Sequence, residues 1–177
     1  PVRHAAFGVG QRLMDHPSVA LASFVKPAAR ITNEHSRRHM YLSMRYSSDI
    51  GGAPPGDMFV VCTSKTSWHA VGEQIASFLI FVNKTFSETG EVRLHTRHWA
   101  DEPEVEFNLL SDRRDLDRIA DGIRRLAPLY DDPALQRVTT DPFPASYSDK
   151  VRQVGTINTK NRILTGIMAK LLDGPGF

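Results

Sequence analysis

Cysteine is almost absent from this chain. Cys62 stands alone among 177 residues, which rules out an internal disulfide framework and leads us to expect a reducing compartment, the cytoplasm. Long apolar runs are missing as well. No stretch reaches the roughly 18 consecutive apolar residues that a membrane helix needs. No charged start followed by an apolar core marks a signal peptide, so a membrane is not expected as a partner. Charge of one sign is also lacking: 22 Lys and Arg against 20 Asp and Glu leave a net charge of +2. That balance gives no field suited to nucleic acid. The pI near 8.9 overstates the basicity, because with balanced charges a few groups move it.

Catalytic and metal signatures are equally scarce. There is no Gly-x-Ser-x-Gly elbow and no complete Ser, His and Asp pattern. Gly8-Val9-Gly10 does not make a dinucleotide loop, since Leu13 stands where a third glycine is needed and Pro17 stops any helix. His35 and His39 are four apart, a metal-clamping spacing on a helix, but no third ligand accompanies them. Their arginine neighbours Arg37 and Arg38 read instead as a solvated basic face. His95 and His98 would lie on opposite faces of a strand. Cys62 lies in a buried run and reads as an inert core thiol. We therefore assign no metal and no catalytic residue.

What is present is a patterned α+β chain. The stretch Ser87 to Asp121 reads as turn, strand, acidic loop, strand and helix, and is expected to organise the rest. Val92, Leu94 and Thr96 alternate with Arg93, His95 and Arg97, and alternation resumes at Val105 and Phe107. Ser111 or Asp112 should cap a helix with Leu116, Ile119, Ile123 and Leu126 on one face. Further strands are expected at Ser18–Lys26, Asp57–Thr63 and Ile75–Val82. Glu34–Tyr46 reads as a helix, Ala134–Val138 as a short one, and Asn158–Leu172 as a final one with Ile163, Ile167 and Leu171 on one face. Ser47–Gly56 and the Pro-rich Asp141–Ser148 read as loops, and Asp149–Val154 as a connector. The expected architecture is an antiparallel sheet of about five or six strands backed by helices. The chain begins at Pro1, and both ends read as cut, so we expect a segment of a longer protein.

One polar, aromatic interruption, Ser64–Glu73, separates two apolar strands. Trp68 at its centre is either a lid on the core or a pocket wall. If this segment is extended, Thr66 and Trp68 share a face and His69 points the other way. Thr66 and Trp68 are therefore the candidate substrate-binding residues. Phe143 and Tyr147 are weaker candidates, read first as packing under a loop. Asp15-His16-Pro17 is either a junction element or a simple turn before a strand.

Several segments resemble the glucose–methanol–choline family of flavin-dependent oxidoreductases. Gly8-Val9-Gly10-Gln11-Arg12-Leu13-Met14-Asp15-His16-Pro17 is similar to its G-V-G-x-N-L-x-D-H-P segment, with Arg12 for the usual Asn and Phe7 where Pro is common. Ser87–Leu94 is similar to S-x-G-x-V-x-L with one residue of difference in the turn. Pro103–Asp112 followed by Asp115-Leu116 resembles P-x-V-x-F-N-L-L-S-D-x-x-D-L, and Leu171–Pro175 resembles the family's tail. Trp68–Gln74 and Asp141–Tyr147 look most like the bacterial hydroxymethylfurfural oxidase-type branch. The resemblance implies that residues 1–177 form the substrate-binding domain of a two-domain flavoenzyme, with 1–17 at the junction. FAD would be held mainly outside this segment, by a flavin-binding domain of the same protein. The family's catalytic His and its partner would also lie outside it. The implied reaction oxidises a primary alcohol or hydrated aldehyde: a His takes the hydroxyl proton and hydride passes to the flavin. Two alternatives stand beside it, a stand-alone non-catalytic binding domain and a hydroxynitrile lyase of the same fold.

Overall fold

The computed structural model of the chain describes residues 4, 6–33, 35, 38–145 and 147–174. Among these described residues, eight strands and four α-helices follow in order: β1 Gln11–Leu13, β2 Ser18–Phe24, β3 Met40–Tyr46, β4 Met58–Thr63, β5 Ile75–Val82, β6 Gly90–Arg93, β7 Glu104–Glu106, α1 Arg113–Leu126, α2 Pro133–Val138, β8 Phe143–Pro144, α3 Asp149–Gly155 and α4 Thr159–Leu172. Five strands form the main antiparallel sheet in the order β3-β4-β5-β2-β8, and β1-β6-β7 form a small separate sheet.

The core lies on one face of the main sheet. Val60 pairs with Ile80, which in turn pairs with Val19, and Met58 pairs with Val82. These residues meet Ile119 and Leu126 of α1. Period two on the strands and period 3.6 on the helix place these apolar residues against one another. The approach is close because residue 122 is glycine: a Cβ there would sit 2.9 Å from Ile80 Cγ2 and 3.0 Å from Tyr46 Oη. Asp112 caps α1, accepting from the Arg114 backbone N–H at 2.9 Å. The Arg114 guanidinium and that same N–H bring the Asp112 carboxyl down to about 2.

A buried ionic cluster locks α1 to the loops beside it. Arg118, Asp57 and Asp115 are all fully buried. Arg118 donates to Asp57 at 3.0 Å, to the Lys84 carbonyl at 2.9 Å and to the Asp115 carboxylate. Asp57 also accepts from the Ser48 backbone N–H at 2.8 Å and its hydroxyl at 2.7 Å. Asp115 accepts from the backbone N–H groups of Phe86 and Ser87, at 2.9 and 2.8 Å, and from the Ser87 and Thr85 hydroxyls. Burial pushes both carboxyls up. The hydrogen bonds from Ser48 and Arg118 on Asp57, and from Phe86, Ser87 and Thr85 on Asp115, outweigh it, and both end below their ordinary value.

The structure corrects several expectations. The helix expected over Glu34–Tyr46 is corrected for its second half: Met40–Tyr46 are the edge strand β3. Leu42, Met44 and Tyr46 recur every second residue and pair with Cys62, Val60 and Met58, so period two won over the helical reading. The part of the expected helix that carries Glu34, Ser36 and Arg37 lies outside the described residues. The Ser87–Asp121 stretch supplies α1 to the main sheet, but its two strands join β1 instead. β6 ends at Arg93, leaving Leu94 81% exposed, and β7 stops before Phe107. Asp149–Val154 is helical, not a connector. On α4 the apolar residues share one face, and that face is the exposed one. Ile163, Ile167 and Leu171 are exposed, and Asn161, Thr165 and Ala169 are buried. Polar bonds set that orientation: Asn161 Nδ2 donates to the carbonyls of Gln153 at 2.6 Å and Thr156 at 2.9 Å, and Gln74 Nε2 donates to the Ala169 carbonyl at 3.1 Å.

Candidate functional site

The same register that builds the core builds a second, emptier face. Thr63, Ser77 and Ala22 stand in one row across β4, β5 and β2, and Leu79 stands beside Ala20. Alternation turns these residues away from α1. Ala20, Ala22 and Ser77 are small, so this face leaves room above it. A cavity of about 570 Å³ occupies that room, in the range of small-molecule sites. The two hydroxyls in its floor satisfy each other, Thr63 Oγ1 and Ser77 Oγ being 2.8 Å apart.

Three segments close the sides. The 66–72 loop supplies Thr66, His69 and Val71; the 143–147 segment supplies Phe143 and Tyr147; α3 supplies Lys150, Val151 and Val154. Met168 of α4 completes the wall. The 143–147 segment is held by pairing with β2 and by the Ala145 N–H bond to the Ala20 carbonyl at 2.9 Å. Phe143 leans on Phe24, their rings 5.4 Å apart. The 66–72 loop folds back on itself: the Thr66 N–H donates to the Gly72 carbonyl at 2.9 Å. A Cβ at Gly72 would lie 2.4 Å from Ser67 Cβ, so only glycine permits that turn.

This bend settles where the expected site residues go. Thr66 lines the cavity. Trp68 is not among its walls. Its indole N–H donates to the Gly155 carbonyl at 2.7 Å and pins the end of α3 beside the loop. His69, expected to face away, is a wall, because the segment is folded rather than extended. Its Nδ1 accepts from the Gly72 backbone N–H at 3.0 Å, which puts the ring proton on Nε2. Burial lowers its pKa, with Glu73 opposing more weakly, so the ring is neutral at pH 7. Phe143 and Tyr147 both line the cavity. His16 Nδ1 is 3.1 Å from the Val82 carbonyl and fastens the turn before β2. Burial raises the Cys62 thiol, which keeps it protonated and unreactive.

The signals for what sequence reasoning missed are visible in hindsight. Ala20 and Ala22 share one strand face, and Val151 and Val154 are three apart after Ser148, which occupies the N-cap position of α3. Among the described residues no group of three or more His, Cys, Asp or Glu could hold a metal. Gly10 leaves no room for a phosphate. The space beside Gly10 is filled by the chain's own Val92 carbonyl, 2.2 Å from where a Cβ would be.

The described residues form a five-stranded antiparallel sheet with α1 on one face and, on the other, a cavity walled in part by α3 and α4. The chain is homologous to the glucose–methanol–choline flavin oxidoreductases and matches the architecture of their substrate-binding domain. Over 136 residues, 73% of this chain, it is 33% identical to 5-(hydroxymethyl)furfural oxidase of Methylovorus sp. (strain MP688). The chain spans about a quarter of that relative's length, 24%. Among solved structures it resembles formate oxidase of Aspergillus oryzae RIB40, with TM-score 0.60 and 17% identity over 80% of this chain and 34% of that one. It also resembles pyridoxine 4-oxidase from Mesorbium loti, with TM-score 0.56 and 16% identity over 90% of this chain and 30% of that one. These two likenesses show the fold. No family model matches the chain.

Proposed function

We propose that residues 1–177 are the substrate-binding domain of a larger FAD-dependent oxidoreductase that oxidises primary alcohols, furan or aryl alcohols and hydrated aldehydes among them. The observation that carries this reading is the cavity on the outer sheet face of a chain homologous to such enzymes. Its apolar floor suits the ring of such an alcohol. The flavin, bound by a separate domain of the same protein, would supply the hydride acceptor. This chain's part is to bind and orient the alcohol and to exclude water from it. Thr66 contributes at the rim of that site. Trp68 contributes by fixing α3. Exposed apolar side chains support a missing neighbour: Phe7 is 94% exposed, Ile163 60% and Leu171 65%. Residues 1–17 would lie at that junction.

The test is the absorption spectrum of the full-length protein. A flavin band that bleaches when a primary alcohol is added without air supports the reading. A protein with no flavin overturns it and leaves a non-catalytic binding domain. A flavin that no primary alcohol reduces, with release of cyanide from a cyanohydrin, makes it a lyase instead.

A further inference from the structure

The two helices that wall the cavity are held by polar bonds rather than by a core of their own. α3 buries no residue, and α4 buries Asn161, Thr165 and Ala169 while Ile163, Ile167 and Leu171 stay exposed. Neither helix buries a large apolar side chain, the usual source of docking energy. Asn161 joins them to each other through the Gln153 and Thr156 carbonyls. The joined pair is tied to the sheet body at both ends. At one end Trp68 holds the Gly155 carbonyl of α3. At the other, Gln74 Nε2 donates to the Ala169 carbonyl and to the Asp173 carboxylate, both at 3.1 Å. Arg30, in the turn after β2, donates to both oxygens of that carboxylate, at 2.8 and 2.6 Å, and its Nε donates to the Val25 carbonyl at 2.8 Å. The hydrogen bonds from Arg30 hold the Asp173 carboxyl below its ordinary value, so the pair is charged at pH 7. Gln74 precedes the wall residue Ile75 but does not itself line the cavity.

We propose that Gln74 and the Arg30–Asp173 pair are positioning residues: they latch the α3–α4 unit to the sheet, fix how far Val151, Val154 and Met168 stand from the floor, and so set the size of alcohol admitted. This rests on the reading of the cavity as the alcohol site. Gln74 can serve this role without carrying the fold. Both of its acceptors keep another donor when it is removed: the Ala169 carbonyl keeps the Asp173 backbone N–H at 3.2 Å, and Asp173 keeps Arg30. The Gln74 Oε1 atom is itself buried with no hydrogen-bond partner among the described residues. Gln74→Met therefore deletes a latch, orphans no acceptor and removes one that is orphaned already.

The experiment compares the full-length wild type, Gln74→Met and Asp173→Ala by amide hydrogen exchange and by steady-state oxidation of benzyl alcohol and the bulkier naphthylmethanol. The expected result is exchange about tenfold faster in α3 and α4, with β2, β4 and β5 unchanged, as loss of one charge-assisted bond gives. KM for benzyl alcohol rises while kcat holds, and kcat/KM for naphthylmethanol relative to benzyl alcohol rises about tenfold. Unchanged exchange in α3 and α4, or an unchanged size preference, overturns the proposal. Faster exchange through every element also overturns it, because that marks a general loss of stability. Anaerobic flavin bleaching separates the two readings. Bleaching by primary alcohols with the size preference unchanged leaves the oxidase standing and removes this proposal. Faster exchange confined to α3 and α4, in a protein whose flavin no primary alcohol bleaches, keeps the latch and removes the oxidase.

Discussion

Replacing Arg118 by Met should unfold this domain more readily than any surface change. Arg118 is fully buried, and it bridges Asp57 at 3.0 Å, the Lys84 carbonyl at 2.9 Å and Asp115. It also lies over the Phe86 ring, 4.9 Å from its centre. Met keeps much of the apolar stem but leaves two buried carboxylates without their cation. Removing one partner of such a cluster costs about 3–5 kcal/mol. For a domain of this size that corresponds to roughly 10 °C in Tm. The pH dependence has a definite sign. Asp57 and Asp115 are both held below the ordinary carboxylate value in the folded state. Their stabilisation is therefore present above the unfolded value, about 3.9, and is lost as pH falls through the folded values. In Arg118→Met the lone carboxylates can protonate at higher pH, so the deficit against wild type shrinks between pH 7 and about 4. Adding Asp57→Asn to the variant should recover part of the loss at pH 7. The assay is urea unfolding of the full-length protein across pH 4–8. A loss below about 1 kcal/mol, or a deficit independent of pH, would refute the cluster's role as described.

Other expectations follow from the same geometry. Gly122→Ala should destabilise by about 1–3 kcal/mol in spite of better helix propensity, because the new Cβ meets Ile80 and Tyr46; an unchanged melting curve would mean α1 packs elsewhere. Trp68→Phe should cost about 1 kcal/mol from the lost bond to Gly155, read in the same unfolding assay. Trp68→Ala should alter substrate preference more than flavin content, since it frees the helix that carries Val151 and Val154; unchanged kinetics over several alcohols with an intact flavin spectrum would remove that link.

The sequence carried more of the core than of the site. Ile75–Val82 and Met58–Thr63 were legible as strands because their apolar runs are short and bounded by turn residues. The α1 boundary was legible because Asp112 caps it. β3 was misread because Met, Leu, Met and Tyr suit helix and strand alike, and only pairing with β4 separates them. Which face of α4 docks was not legible, because the docking rests on Asn161 and Thr165, whose burial hydropathy cannot signal. The polar-aromatic interruption supplies Thr66 and His69 to the cavity lining. Which of Thr66, Trp68 and His69 faces inward depended on the turn at Gly72, a contact no alternation rule contains.

The central claim is that the outer face of β2 and β5 is the floor of the alcohol site, and Ala22→Leu tests it directly. Ala22 is 1% exposed and forms part of that floor. The larger side chain fills the chamber without touching the ionic cluster under α1. The measurement is the rate of anaerobic flavin bleaching by a subsaturating aryl alcohol in the full-length protein. The account predicts a slowing of about tenfold or more with an unchanged flavin band, as blocking a bound ring would give. An unchanged rate would contradict it and place the substrate elsewhere.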